Sequence, residues 1–494
     1  WVALKTTEKA QLLGVSVLGI WARVWLSPWG MAPVPDTLAV RLVITSHEQE
    51  PHPVYGAGMQ ALGFAWKTIA GDDVGGWMDL QRVMACVAIP LVWFLARSCV
   101  AEEHREAAGL IAGTLIAVLP VHVALSAGVL EHVSLATLCL AALAAGVSSE
   151  RLSSGLFGLM AGLIAGFASH VRPEVLPFSG LMGVWLLSSQ CKGRVWRSVG
   201  ALVCIAMGVV RYQSLTSESW GIAQRVLYRD VDVALSGGAL KLLIPHSWDV
   251  PRYFPTTVNV LAEPWLTPYL VWPVFLVGFI CLVFSRRWVM PLAWLALLLP
   301  ICLRGHPLSD AYRFQLPSIL VACVIFGVGG AWLTQRYKAL LVMLLVGTGT
   351  LSVPLLERAQ DRWLVTETFA VMKAGAEQRP AAAWTVVPRF NGYALTESSL
   401  AATLSNPPSY KARALAADDP LPDGETWLWW PVQCTPVLNK RASMKPVDFE
   451  ACDRFERCTL EVVEEAHVFG RVDRTWTVPQ VGIRVGWYKI ESCP

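Results

Sequence analysis

LPVHVALSAGVLEHVSLATL, residues 119–138, sets Glu131 and His132 between two stretches that otherwise avoid water. Apolar runs lie on either side, at 107–124 and 130–147. Each approaches the roughly 20 apolar residues that a helix needs to cross a bilayer. The stretch therefore reads as the turn between two membrane spans, with a carboxylate at the end of the second.

The same pattern repeats along most of the chain. Apolar runs at 10–27, 78–98, 107–124, 130–147, 155–170, 174–190, 198–212, 266–284, 288–304, 315–333 and 338–355 predict about eleven spans, of which the fifth and seventh are short. Composition agrees: 54% of the 494 residues are hydrophobic and 16% are charged, against roughly 25% charged in an average soluble domain. Mean hydropathy is +0.47. Many of the 23 tryptophans close the apolar runs, among them Trp21, Trp66, Trp93, Trp272, Trp288 and Trp332, where an amphipathic ring suits the headgroup layer. The chain is a polytopic α-helical membrane protein on this reading, and membrane lipids are its first partners.

Net charge is +3, from 40 basic and 37 acidic residues, and no basic block is interleaved with aromatics. Nucleic-acid binding is excluded on that ground. Basic residues nevertheless have an order. Lys5 and Lys9 precede the first span, Arg97 and Arg105 follow the second, Arg151 the fourth, Lys192, Arg194 and Arg197 the sixth, Arg286 and Arg287 the eighth, and Arg336 and Lys338 the tenth. Every second loop is basic, which predicts a cytoplasmic N-terminus. The opening loop, the 119–132 turn, the 170–174 turn, the 213–265 and 304–314 loops and everything after 355 then face outward. No cleavable signal peptide is expected.

Residues 356–494 change character, with short alternating runs such as AAWTVVP, TWLWWPV, TLEVVEEA and VGIRVGWYKI between Pro, Gly and Asp turns. These predict strands, and with the helical pattern of 356–378 they suggest a periplasmic soluble α/β domain following a membrane domain at 1–355. Eight of the twelve cysteines lie in or beside apolar runs as small hydrophobes. The other four, Cys434, Cys452, Cys458 and Cys493, fall in the tail, where an oxidising compartment predicts two disulfides with three connectivities open. A four-thiolate zinc site is the weaker alternative, because no Cys-x-x-Cys pair is present. The absence of an Asn-x-Ser/Thr sequon favours a bacterial inner membrane and periplasm.

Ionisable groups near membrane depth are costly, so they are candidates for function, with snorkelling and anchoring as the plain alternatives. Asp36 either caps a short interfacial helix or faces a substrate. Glu48 and Glu50, in SHEQEPHPVY, are either solvated loop residues or part of the same surface. Glu131 at the end of the fourth span requires something polar in its surroundings. LRGHPLSDAYRFQLPSIL brings Arg304, His306, Asp310, Tyr312 and Arg313 ahead of the tenth span, a set suited to an anion. FASHVRPEVLPF offers His170, Arg172 and Glu174, equally a structural ion pair or a ligand contact.

These residues resemble the GT-C membrane glycosyltransferases, in particular the protein mannosyltransferases and the lipid A aminoarabinose transferases. Four elements carry the likeness: Asp36 after the first span with the HPVYGAGMQALGFAW run, DLQRVMACVAIPLVWFLAR, LPVHVALSAGVLEHVSL followed by GLMAGLIAGFASHVRPEVL, and HPLSDAYRFQLPSILV. The likeness covers about residues 10–355. It implies a sugar donor on a polyprenyl phosphate. Asp36 matches the family's first-loop acid, Glu131 its second-loop acid, and Arg313 its late basic residue. The first loop lacks the paired acids often seen there, so Glu48 and Glu50 stay beside Asp36 as candidate bases.

Under that resemblance a carboxylate takes the acceptor's hydroxyl proton, a contribution of roughly 10²–10⁴-fold in rate, and cations hold the leaving phosphate. Asp36 is the expected base, Glu48, Glu50 or Glu131 bind acceptor or tune it, and Arg313 with His306 neutralise phosphate. His52, Tyr55, Arg172 and Asp310 complete the expected substrate-binding set. Direct displacement predicts inversion at the anomeric carbon. No cofactor is required, although Asp36 with Glu131 would suit a divalent Mg or Mn ion. GVGG and GTGT lie inside apolar runs and read as packing glycines, not phosphate loops. Two alternatives from other classes are a transporter of lipid-linked glycans and a non-catalytic scaffold subunit of an envelope complex. No protein partner is indicated.

Overall fold

The structure is a computed structural model that describes residues 5–25, 56–70, 74–126, 131–188, 193–216, 271–304, 315–336, most of 339–350, 383–386, 412–414, 426–430, 457, 459–471 and 480–492. The helices are α1 (Thr6–Trp25), α2 (Gly56–Ala70), α3 (Val74–Ser98), α4 (Arg105–Val118), α5 (Pro120–Ser126), α6 (His132–Leu152), α7 (Gly155–Val171), α8 (Leu176–Ser188), α9 (Arg194–Thr216), α10 (Val271–Phe284), α11 (Val289–Arg304) and α12 (Leu316–Arg336). Single 3-10 turns at Glu102–His104 and Pro173–Val175 precede α4 and α8. Among the described residues, four stretches are long and apolar enough to cross a membrane by length and composition: Asp79–Ser98, His132–Leu152, Arg194–Gln213 and Leu316–Gln335.

Two expectations need correction. The single span expected at 107–124 is two helices, α4 and α5. Leu119 leaves the helical region (φ −64°, ψ 115°), as residues before proline do, and Pro120 supplies no N–H to continue the ladder. The loop after the first span also contains a helix of its own, α2, whose Met59 is fully buried while Phe64 and Ile69 remain exposed.

The bundle is assembled by small residues and by a few aligned polar contacts. α3 and α6 run parallel in a constant register. Gln81 Oε1 accepts from Ser134 Oγ at 2.9 Å, the Met84 carbonyl accepts from Thr137 Oγ1 at 3.0 Å, and the Ser98 carbonyl accepts from Arg151 Nη2 at 3.1 Å. One end of this pair therefore carries Gln81 and Glu131, and the other Ser98 and Arg151. α12 is the axial helix, buried without interruption from Gln315 to Ala331. A Cβ at Gly329 would stand 2.1 Å from the Val274 carbonyl oxygen, and one at Gly278 would stand 2.0 Å from that of Ile325. The expected packing role of the GVGG glycines is met by this contact with α10.

α7 and α9 meet in the same way. Gly158, Gly162 and Gly166 recur every fourth residue on one face of α7, and a Cβ at Gly162 would lie 2.0 Å from the Gly200 carbonyl oxygen. Close backbone approach through glycine is a common solution where the surrounding solvent is as apolar as the side chains. α9 accordingly exposes Val195, Trp196, Leu202, Val209 and Val210, apolar side chains of the kind a lipid-facing helix presents.

α1 is tied to the bundle by a buried charge. Arg23, 0% exposed, donates from Nη1 to the Gly19 and Ala117 carbonyls at 2.8 and 3.0 Å, and from Nη2 to the Ile116 carbonyl at 3.0 Å. Nη2 also lies 2.6 Å from His122 Nδ1. Ile116 and Ala117 are in the last turn of α4, where carbonyls have no intrahelical donor. Pro120 cannot supply one, so Arg23 serves the end of a neighbouring helix, where the dipole also favours a cation.

In the tail, five strands form one sheet of order β2-β1-β3-β5-β4: β1 (Ala383–Val386), β2 (Ala412–Ala414), β3 (Thr426–Trp430), β4 (Thr459–Arg471) and β5 (Gln480–Ser492). β1 pairs in parallel with β2 and β3, while β3, β5 and β4 are antiparallel. Cys86, Cys99, Cys139, Cys204, Cys281 and Cys323 are free thiols in or beside the helices. The disulfide candidates Cys434, Cys452, Cys458 and Cys493 lie outside the described residues.

Candidate functional site

The end of the bundle that carries Gln81 and Glu131 gathers charge from three separate segments. Glu131 immediately precedes α6, and its carbonyl accepts the first helical hydrogen bond, from Leu135 N at 2.9 Å. Arg172 immediately follows α7, where its amide donates to the Ala168 carbonyl at 3.1 Å. Pro173 pushes Arg172 into an extended conformation (φ −148°, ψ 136°), as a following proline requires. The carboxylate thus stands at a helix N-terminus and the guanidinium at a helix C-terminus, each at the dipole end that favours its sign.

Their side chains meet. Arg172 Nη1 is 3.2 Å from Glu131 Oε1, and Arg172 Nη2 is 3.2 Å from Glu174 Oε1. Arg211, in the last turns of α9, lies within electrostatic reach of both Glu174 and Arg172. The set is two carboxylates and two guanidiniums, and Glu131, Arg172 and Arg211 are all buried, at 0%, 3% and 3% exposed. Beside them His132 Nδ1 lies 3.8 Å from Glu131 Oε1, and His170 Nε2 donates to the Met207 carbonyl at 3.0 Å. One turn deeper, Gln81 receives both the backbone and hydroxyl donors of Ser134, at 3.2 and 2.9 Å. Among the described residues the Gln81 Nε2 donor and both amide atoms of Gln315 are buried without a hydrogen-bond partner.

Of the residues singled out in the sequence, the structure brings together Glu131 and Arg172, with Glu174. The polar surroundings that Glu131 requires are supplied in part by Arg172, which arrives from the end of another helix. Asp36, Glu48, Glu50, His52 and Tyr55 lie outside the described residues, as do His306, Asp310 and Arg313. Arg211, Gln81 and Gln315 were not anticipated. Arg211 looks in sequence like an interfacial anchor closing an apolar run, and the two glutamines give no signal until their burial is known.

Among the described residues no group of three or more His, Cys, Asp or Glu side chains could hold a metal ion. Glu131 already faces a guanidinium, which occupies the position a divalent cation would need, so this part of the site does not fit an Mg or Mn ion.

No family model matches the chain, and no curated protein matches it. Solved structures do. ArnT from Cupriavidus metallidurans in the apo state is 11% identical with a TM-score of 0.54, over 97% of each chain. The same protein bound to undecaprenyl phosphate is 10% identical with a TM-score of 0.53, over 98% of each chain. The Archaeoglobus fulgidus oligosaccharyltransferase in the apo form is 13% identical with a TM-score of 0.50, over 83% of this chain. This chain spans 65% of the length of that oligosaccharyltransferase. At such identities the likeness is one of fold.

Proposed function

From a multi-pass helical chain whose fold is that of the GT-C glycosyltransferases, we infer a membrane glycosyltransferase that moves a sugar from a polyprenyl-phosphate donor to an extracytoplasmic acceptor, with inversion at the anomeric carbon. The observation that carries this reading is the buried ion-pair array of Glu131, Arg172, Glu174 and Arg211 at one end of the bundle. Burying charges such as Glu131, Arg172 and Arg211 is expensive, and in this reading the array serves the place where a lipid-borne phosphate and an acceptor from the aqueous side would meet. That a neighbour in fold has been captured with undecaprenyl phosphate supports the donor class.

Asp36 is the base in this reading, with Glu48 or Glu50 as its substitute or acceptor contact. It takes the hydroxyl proton as the acceptor oxygen attacks the anomeric carbon, and the sugar–phosphate bond breaks with its electron pair on the lipid phosphate. His306 and Arg313 neutralise that phosphate, while His52, Tyr55 and Asp310 bind the sugar and acceptor. Arg172 is a positioning residue: it fixes Glu131 through the 3.2 Å contact of Nη1 with Oε1, so that the carboxyl faces the developing charge on the sugar. The chain is placed in a bacterial inner membrane with its N-terminus cytoplasmic and residues 356–494 forming a periplasmic α/β domain with two disulfides.

A transporter would carry its charges near the bilayer midplane. The α3–α6 seam from Met84 to Ser98 has none until Arg97, which favours the transferase. The test is transfer of labelled sugar from a polyprenyl-phosphate donor by the purified chain, with Asp36→Asn expected to abolish it. Full activity in that variant would move the base to Glu48 or Glu50, and no transfer by the wild type with any polyprenyl-phosphate sugar would end the reading.

A further inference from the structure

The opposite end of the α3–α6 pair, about 25 Å away at 1.5 Å per helical residue, holds a second charge cluster of a different kind. Arg151 Nη2 and Arg287 Nη1, from the last turn of α6 and the turn between α10 and α11, both donate to the Ser98 carbonyl, at 3.1 and 2.7 Å. Arg97 and Arg105 lie within electrostatic reach of Arg151. Four guanidiniums from four segments thus converge around the C-terminus of α3.

Their compensation is incomplete. Among the described residues the only carboxylate paired with any of the four is Glu8, which contacts Arg97. Of the nearby acids, Glu106 accepts from Thr7 Oγ1 at 3.2 Å, Glu150 lies 3.6 Å from Arg197 and accepts from Trp185 at 2.9 Å, and Glu102 and Glu103 are exposed to the surroundings. Four cations against one anion leave +3, and the dipole of α3 contributes only about half a negative charge. Donors also remain unused. Arg97 Nη1 and Arg105 Nε are buried with no hydrogen-bond partner among the described residues, and the Arg97 side chain is 8% exposed.

The backbone contributes to the convergence. Arg286 adopts a left-handed conformation at φ +58°, and its amide donates to the Val283 carbonyl at 3.1 Å while that of Arg287 donates to Leu282 at 2.9 Å. This is the helix-ending turn that ordinarily uses glycine. A non-glycine residue is disfavoured there, and the turn sets Arg287 against Ser98. Arginines that merely anchor a protein at the membrane surface reach toward separate headgroups, whereas Arg151 and Arg287 share the Ser98 carbonyl.

We propose that Arg97, Arg105, Arg151 and Arg287 form a binding site for a phosphate group, the headgroup phosphate of an anionic lipid or free phosphate, at the end of the bundle remote from Glu131. Planar guanidiniums supply bidentate donors for such an anion, and the unused Arg97 and Arg105 donors mark where its oxygens are received. The site is independent of sugar transfer.

The test is native mass spectrometry of the purified full chain equilibrated with equal phosphatidylglycerol and phosphatidylcholine. The wild type should retain phosphatidylglycerol in preference by about tenfold, the equivalent of one charge-assisted hydrogen bond. Arg151→Gln with Arg287→Gln should bring the two lipids close to parity, while Lys9→Gln with Arg194→Gln, which removes the same charge from exposed positions at this end, should leave the preference intact. Arg151→Lys with Arg287→Lys keeps the charge without the planar fork and should weaken retention several-fold even where the glutamine pair does not fold. Displacement of phosphatidylglycerol by millimolar inorganic phosphate would assign the site to free phosphate, and resistance to it would assign the site to lipid. No preference in the wild type, equal loss in both glutamine pairs, or unchanged retention in the lysine pair would overturn the proposal.

Discussion

Arg172 Nη1 lies 3.2 Å from Glu131 Oε1, so the C-terminus of one helix and the N-terminus of another are joined by a buried ion pair. Each charge sits on the helix dipole end that stabilises it, and Glu174 takes the second fork of the same guanidinium. Removing one member takes from the other its 3.2 Å charged partner in a dry setting. Glu131→Gln and Arg172→Gln should each destabilise the protein by about 3–5 kcal/mol, and the double variant by clearly less than their sum. Thermal unfolding of the three variants in detergent checks this. Strict additivity would mean that the two side chains do not interact.

Activity should not follow stability in that cycle. If Glu131 faces the reacting sugar, the double variant recovers folding but not transfer. Labelled-sugar transfer measured on the double variant at a temperature where it is folded separates the two, and recovery of transfer would make the pair structural only.

Arg23→Met should loosen α1 from the bundle. The carbonyls of Ile116 and Ala117 would lose their donor, at about 1–3 kcal/mol for each buried group left unsatisfied. The checking measurement is the melting temperature of the purified variant. Arg23→Lys, whose compact ammonium cannot reach three carbonyls and His122 together, should fall between methionine and the wild type.

Gly162→Val should prevent α7 and α9 from closing, because its Cβ alone would meet the Gly200 carbonyl oxygen at 2.0 Å. Overpacking commonly costs about 1–3 kcal/mol, and more where backbone is the obstacle. Yield of monodisperse protein is the readout, and Gly180→Val, where no atom lies within 4 Å, is the control that should behave as wild type.

Glu8 gives a pH dependence. Burial alone would raise its pKa, but the Lys5 amide, which donates to it at 2.9 Å, and the Arg97 guanidinium hold the carboxyl below its ordinary value. A carboxyl lowered by folding stabilises the folded state above its unfolded pKa, and that contribution disappears as pH falls through the folded value. Melting temperature should therefore drop less between neutral pH and the acid range in Glu8→Gln than in the wild type. An identical drop in both would contradict it.

Much of the bundle was legible because a bilayer leaves few choices: long uncharged runs must be helices. Pro120 was visible in the sequence, yet its division of one apolar run into α4 and α5 was obscured by the hydrophobicity on both sides. α2 was hidden by three glycines, Gly56, Gly58 and Gly63, and by its position in a polar loop. In the tail, strands run through the alternating stretches around 383–386, 426–430, 459–466 and 481–490, while the three residues of β2 are too short for any period to register. In the site, Glu131 and Arg172 stood out as charges where charge is costly. Their pairing could not be read, because nothing local links the start of α6 to the end of α7. Arg211 was concealed by looking like an anchor, and Gln315 by being uncharged.

The central claim is that this chain transfers sugar from a lipid phosphate using carboxylates at the Glu131 end of the bundle. Turnover of a labelled polyprenyl-phosphate sugar by the wild type, Asp36→Asn and Glu131→Gln, each reconstituted and shown to be folded, tests it most directly. The account predicts product of inverted anomeric configuration from the wild type and a loss of about 10²-fold or more in both variants. Wild-type turnover that survives unchanged in both variants, or a folded wild type that turns over no such donor, would contradict it.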